Sequence, residues 1–342
     1  MGEVLEVMKQ NRFAFTNVVL LIGASFALTN CSSQSPLAPP SGSSVIAASD
    51  TQSARGTPFR APSASPLLSR NTNTKTLYVT DNSSSNVQLF ANGTWSPKGM
   101  ISNGVSQPTG DWIDKQGNLY VANEHQYNGA FNVQEYAPNG SSPEFTYSSG
   151  LENSEPTAVA TDRSGHVFVA TTEGQNYPGS VVEYNQGQNT VLYSCESSHA
   201  VEGVAVDKNN DVFIDTVGYS SEGSILEYKG GLNGCHASTL SVRLVSAGGI
   251  AVDANSTLVV CDPRAQSVDV IPLPYSTVFK YLGSGYVNPV SVSLNQDNRK
   301  AFVADEGAGT VDILRYPGGK HIATVSGFLN PLGAVDSPNA VY

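Results

Sequence analysis

The sequence predicts an all-β fold: a six-bladed β-propeller of four-stranded antiparallel blades, its ring closed by pairing of the C-terminal strand with the first blade. The leading observation is a repeat. Six short apolar runs, Leu77–Thr80, Leu119–Ala122, Val167–Ala170, Val212–Asp215, Leu258–Cys261 and Ala301–Ala304, place their second residues 42, 48, 45, 46 and 43 positions apart. That period is the size of one blade. A lone four-stranded sheet buries little, whereas sheets packed radially bury both faces, so the repeat itself explains how the domain folds. It defines a scaffold and leaves the chemistry open.

Each apolar run has a partner strand upstream that ends in a turn: Gly110–Asp114, Ala158–Asp162, Gly203–Asp207 and Gly249–Asp253. From that Asp to the second residue of the next strand is six positions, as in Asp114 to Tyr120, and Asn295 to Phe302 takes seven. The Gly and Asn residues between them suit tight hairpins. A third strand follows a variable loop, as in Asn132–Tyr136, Ser180–Tyr184 and Ser224–Tyr228, with period-two alternation. A less regular fourth strand closes each blade, for example Thr190–Tyr193 or His321–Val325. In the third strands Glu135, Glu183 and Glu227 share a column and read as solvated outer residues.

The ends of the domain fit ring closure. Leu77–Val79 begins at a second strand, and Pro331–Asp336 is a first strand lacking the rest of its blade. Pairing them completes six blades and removes an exposed edge. A truncated seventh blade is the competing account, because Asp336 to Tyr342 repeats the six-residue spacing.

The repeat occupies 74–342, preceded by an export signal over 1–31 and a tether over 32–73. Residues 13–28 are apolar but too short and interrupted for a membrane span, and read as the core of a secretory signal. A start at Met8 would give this segment a basic leader. Leu28–Cys31 resembles the processing site of bacterial lipoproteins, which implies lipidation of Cys31 and anchoring in the cell envelope. A plain secretory signal is the alternative, and both routes predict export. Residues 32–70 hold 11 serines and 6 prolines, too little apolar content to offset ordering.

Residues 71–342 carry 13 Lys and Arg against 26 Asp and Glu, a formal charge of −13. No basic run occurs there, which argues against nucleic acid as a partner. Beyond Cys31, Cys195 and Cys235 sit in matching stretches of adjacent blades and suit a disulfide, while Cys261 stands in a column of small residues and reads as a core filler. No spacing suits zinc or iron–sulfur clusters, and no cofactor is expected.

Gly203–Ile214 followed by Ser224–Tyr228 resembles the NHL repeat, as do Pro108–Ala122 and Pro156–Ala170. Together with 249–261 and 289–304, the resemblance covers nearly all of 77–342. It implies an exported NHL-type or lactonase-like propeller, a group of diverse functions. The gluconolactonase-like members hold a divalent metal in the central channel with Glu, Asn and Asp from inner strands. The matching positions here are Thr109, Thr157, Glu202, Gly248, Val290 and Leu332, of which only Glu202 could ligate. Lyases on similar propellers use channel histidines, and the five here share no blade position. A metal-dependent lactonase-like hydrolase or lyase is therefore the alternative to a non-catalytic binding module.

The blades differ in one respect. Between second and third strands the first, fifth and sixth have brief links, whereas the second to fourth have longer ones, over 123–130, 171–179 and 216–223. Each long link holds a Tyr and a Glu: Glu124 with Tyr127, Glu173 with Tyr177, and Tyr219 with Glu222. His125 joins the first of these, and the inner-strand connections add Glu152, Glu155, His199 and Glu202. Tyrosine combines apolar area with a hydroxyl at low entropic cost, which suits recognition of an extracellular or cell-envelope protein or glycan by a monomeric domain. A narrower expectation puts a divalent cation on Glu124, Glu173, Glu202 and Glu222. Asp215, in a column of small residues, is expected to find a backbone or Tyr219 partner.

Overall fold

The computed structural model describes residues 75–127, 130–173, 178–218 and 222–338, with the side chains of 125–127 and 130 left aside. The export signal, Cys31, the tether, Tyr177 and Tyr219 lie outside the described residues.

Six four-stranded antiparallel sheets are present. Blade one holds β1 (Thr76–Asp81), β2 (Asn86–Ala91) and β3 (Pro97–Ile101). Blade two holds β4 (Pro108–Ile113), β5 (Leu119–Tyr127), β6 (Ala130–Tyr136) and β7 (Pro143–Tyr147). Blade three follows with β8 (Glu155–Thr161), β9 (His166–Thr172), β10 (Gly179–Asn185) and β11 (Val191–Ser197), and blade four with β12 (Ala200–Val206), β13 (Val212–Val217), β14 (Gly223–Tyr228) and β15 (Ala237–Thr239). Blade five comprises β16 (Ile250–Val252), β17 (Leu258–Asp262), β18 (Ser267–Ile271) and β19 (Lys280–Tyr281). Blade six comprises β20 (Pro289–Leu294), β21 (Lys300–Asp305), β22 (Thr310–Arg315) and β23 (His321–Ser326), after which β24 (Pro331–Asp336) returns as the innermost strand of blade one.

That return closes the ring. β24 pairs with β1 through Leu77 and Asp336, Tyr78 and Val335, and Val79 and Ala334. Asp336 therefore lies opposite Leu77, at the level where Ile113 faces Leu119 in blade two. It stands one residue short of the hairpin aspartates, so the six-residue spacing to Tyr342 is a coincidence of sequence. The slot for a seventh blade's second strand is occupied by β1.

The hairpin aspartates explain the fixed spacing. Asp114 Oδ1 accepts the N–H groups of Gln116 and Asn118 at 2.9 and 2.8 Å, and Asp162 does the same for Ser164 and His166 at 2.8 Å each. Asp207 and Asp253 repeat this pattern. A carboxylate at this point satisfies two turn donors, and the turn thereby fixes the strand register.

The core is not central but lies in the seams between blades. Phe213, Ile225 and Leu258 pack across one seam, and Tyr120, Val159 and Tyr184 across another. This corrects the reading of the third-strand glutamates. Glu135, Glu183 and Glu227 are buried, because a sheet sandwiched between two others hides both of its faces. Glu135 accepts hydrogen bonds from Tyr147 Oη at 2.6 Å and from Gln186 Nε2, in the next blade, at 3.0 Å. Glu183 lies 3.6 Å from His166 Nδ1, and its pKa is raised by burial.

Cys195 of β11 and Cys235 of the next blade form a disulfide with Cα atoms 5.3 Å apart, and Cys261 is a buried free thiol. The bridge spans 40 positions and ties two blades at their outer rims. Replacing both cysteines by Ser is expected to cost about 2–4 kcal/mol in the unfolded-chain entropy account, readable as a lower denaturant midpoint with a slope that is steeper, because the uncrosslinked unfolded chain exposes more surface.

Candidate functional site

One end of the ring opens into a cavity of about 550 Å3 on the central axis. It is built from positions that recur in every blade. The inner-strand column Thr109, Thr157, Glu202, Gly248, Val290 and Leu332 contributes all six members to its wall. Nearer the mouth lies a second six-membered ring, made by the residue two beyond the small column of each second strand: Asn82, Glu124, Thr172, Val217, Pro263 and Glu306. Glu155, Ser246, Asn288 and Asn330 complete the mouth from the connections into the inner strands.

The wall is acidic. Glu124, Glu155, Glu202 and Glu306 face it with Arg264 as the one cation among the described lining residues. Asn82 Nδ2 donates to Glu124 Oε2 at 3.0 Å, and Asn288 Nδ2 donates to Glu306 Oε2 at 2.6 Å. These amides hold two carboxylates at the mouth without neutralising them. Burial pushes the Glu202 carboxyl up to about 7, with the negative charge of Glu124 adding to the effect. The Thr109 and Thr157 hydroxyls instead donate to the carbonyls of Pro156 and Val201 in the next blade, both at 2.7 Å, and stitch neighbouring inner strands together.

The structure thus brings Glu124 and Glu202 into one cavity. It does not bring Glu173 and Glu222, which are exposed and absent from the wall. Their places in the acidic set are taken by Glu155 and Glu306. Glu306 stands in the same column as Glu124, and that alignment was the available signal. His199 is half-buried beside Gly218, on the connection into β12. The side chains of His125 and Tyr127, with Tyr177 and Tyr219, lie outside the described residues, so the four-carboxylate wall stands without them. Among the described residues no group of three His, Cys, Asp or Glu side chains is gathered closely enough to hold a metal ion. The inner ring supplies one carboxylate where a gluconolactonase-like centre needs three ligands, so the residues present do not fit that metal site.

The short-loop blades carry a device that the sequence did not reveal. In blade six Asp305 accepts the N–H groups of Val287 and Asn288, both at 2.8 Å. Asp262 grips Val245 and Ser246 at 2.7 and 2.9 Å, and Asp81 grips Leu329 and Asn330 at 3.1 and 3.0 Å. Blades two to four have Asn123, Thr171 and Thr216 at the same level and longer links beyond it; of these Asn123 also reaches the connection before its inner strand, accepting the Ser106 N–H at 2.9 Å. The mouth therefore has two halves: a rim of short links clamped by aspartates on blades five, six and one, and a rim with links longer in sequence on blades two to four.

Two buried aspartates break the repeat elsewhere. Asp215 replaces the small residue of its column, and Asp111 stands where other blades have Val159, Val204, Ile250, Val292 and Ala334. No side chain and no well-aligned N–H pairs with either carboxylate; weak backbone N–H contacts, from Asp111 itself and, for Asp215, from Gly203 and Asp215 itself, offset their burial only in part. Of the partners expected for Asp215, the backbone is present as a weak contact from Gly203, and Tyr219 lies outside the described residues. Burial drives both carboxyls well above the usual range, because it penalises the charged form.

These features define a six-bladed propeller with an acidic axial cavity open on one face, the architecture of an interaction scaffold. No protein-family model and no curated protein matches the sequence. Among solved structures, the fold is similar to a chain of a nidogen–laminin complex, with a TM-score of 0.61 and 14% identity over 77% of this chain and 98% of that one. A protein of unknown function from Bacteroides caccae gives 0.59 and 12%, covering 77% and 98%. Kuenenia stuttgartiensis hydrazine synthase gives 0.51 and 12%, covering 75% and 85%. At such identities the likeness concerns the fold alone.

Proposed function

We propose that the chain is an exported, lipid-anchored propeller of NHL-repeat type that recognises a cell-envelope or extracellular protein or glycan through the face bearing the cavity mouth, without chemistry of its own. The observation that carries this reading is the two-sided mouth: three links that are longer in sequence follow its wall residues Glu124, Thr172 and Val217, and three connections clamped by aspartates form the rest. A rigid ring presenting variable loops around a concave centre is a common arrangement for recognition. The acidic wall adds selectivity through electrostatic complementarity.

Export and anchoring rest on the apolar segment 13–28 and on the lipoprotein-like Leu28–Cys31. Changing Cys31 to Ser is expected to shift the protein from the membrane fraction to the soluble exported fraction. An unchanged distribution, or a processed Cys31 without acyl groups by mass spectrometry, removes the anchor from the proposal. For recognition, the Tyr127→Ala, Tyr177→Ala, Tyr219→Ala triple variant is expected to keep the melting temperature of the parent. It should lose capture of envelope proteins and binding to a glycan array. Capture that survives the triple change places recognition elsewhere.

A further inference from the structure

The clamped half of the mouth has a composition that solvated surfaces avoid. Val245, Val287 and Leu329 occupy the same position in three consecutive blades, five, six and one, and are 56%, 52% and 73% exposed. Scattered single apolar residues are ordinary on a surface, but a run at one symmetric position on one rim is a patch. Each is the residue whose N–H the clamping aspartate holds, so its backbone is fixed while its side chain faces water. Each is followed directly by a wall residue, Ser246, Asn288 or Asn330. An apolar rim thus stands at the edge of a cavity walled by four carboxylates.

The inner end of the channel adds an independent mark. A second, smaller compartment of about 50 Å3 shares Thr157, Glu202, Val290 and Leu332 with the main cavity and is bordered by Asp111. Asp111 is 8% exposed, and no side chain donates to either of its oxygens. The inner end of the channel thus holds a buried carboxyl group that no side chain engages, while the rim offers apolar area.

We propose that the mouth receives a lysine or arginine side chain from a partner protein, presented on a loop whose aliphatic neighbours rest on Val245, Val287 and Leu329. This rests on the recognition reading above and names the chemistry of its ligand. The argument is charge complementarity joined to apolar contact. An inserted cation would relieve the repulsion between Glu124 and Glu202 and meet the further carboxylate of Glu306, with Arg264 the one cation among the described wall residues. The aliphatic rim would exclude water around the ion pair and strengthen it. A neutral glycan would satisfy neither feature. The net charge of −11 also steers cationic partners toward the protein.

The test is a random 12-mer phage library panned on the full chain at pH 8 and low salt. Enriched peptides are expected to carry Lys or Arg flanked by aliphatic residues. The best of them, made synthetically, should lose about tenfold or more in affinity when its basic residue becomes norleucine. A similar loss is expected on the Glu202→Gln, Glu306→Gln protein, and a loss of about fivefold or more on Val287→Ser, Leu329→Ser. Both protein variants should keep the melting temperature of the parent. Failure to enrich any peptide, enrichment of peptides without a basic residue, or binding indifferent to both variants overturns the proposal. If binding then falls only with the triple tyrosine change, recognition by this face stands and the cationic insertion does not. Binding indifferent to all the variants overturns both.

Discussion

Removal of the closing strand is expected to have the largest effect of any change to this chain. Deleting Pro331–Tyr342 strips β24 from β1, every residue of which is buried, and opens the one seam that joins the two ends of the ring. β24 also packs on its neighbour: a Cβ at Gly333 would lie 2.6 Å from Asp111 Oδ1 and 2.7 Å from Thr80 Oγ1. Loss of these contacts leaves an unpaired inner edge and two uncovered blade faces, at a cost comparable to the whole stability of a typical domain, about 5–15 kcal/mol. The truncated protein should be insoluble or melt without cooperativity. Gly333→Val probes the same seam more gently and should cost about 2–4 kcal/mol through overpacking. A truncated protein that melts like the parent would show that closure lies elsewhere.

Relieving the orphaned aspartates should act in the opposite direction. Asp215 is fully buried and meets only weak backbone N–H contacts, and its column accepts alanine in three other blades, at Ala122, Ala170 and Ala304. Asp215→Ala is expected to raise stability at neutral pH by about 1–3 kcal/mol, the usual penalty of an unsatisfied buried polar group. Asp111→Val, matching its column, should do likewise. The sign with pH follows from the raised folded-state pKa. Below the unfolded value near 4 both states are protonated and the carboxyl costs nothing through ionisation. As pH climbs toward the folded pKa, the unfolded state ionises while the folded state keeps its proton, and stability declines. The variants should therefore gain more at pH 8 than at pH 4, and their stability should depend less steeply on pH. No gain at pH 8 would mean that each carboxylate has a partner in solution.

Much of this architecture was legible because a repeat aligns itself. The spacing of Tyr78, Tyr120, Phe168, Phe213, Val259 and Phe302 gave the blades. The column Thr109, Thr157, Glu202, Gly248, Val290 and Leu332 was read from sequence alone, and all six of its members line the cavity. The glutamates of the third strand misled for a physical reason. Period-two alternation separates inside from outside only when one face of a sheet meets water, and here both faces meet other blades. Glu135 is buried by Tyr147 and Gln186, partners distant in sequence. Glu306 was overlooked because its short turn lacks the Tyr and Glu pairing of the longer loops. The clamps of Asp81, Asp262 and Asp305 were hidden because an Asp beginning a turn is usually explained by the turn itself, yet these three also reach the connection before the inner strand.

The central claim is that the open, acidic end of the channel is the recognition surface. Hydrogen–deuterium exchange of the full chain, alone and saturated with the best phage-selected peptide, tests it most directly. Slowed exchange is predicted around 106–110, 123–124, 244–248, 286–290 and 328–332, with no change at the hairpins 114–118, 207–211 and 253–257 on the other face. Protection confined to those hairpins, or to the outer strands β3, β7 and β11, would contradict the account.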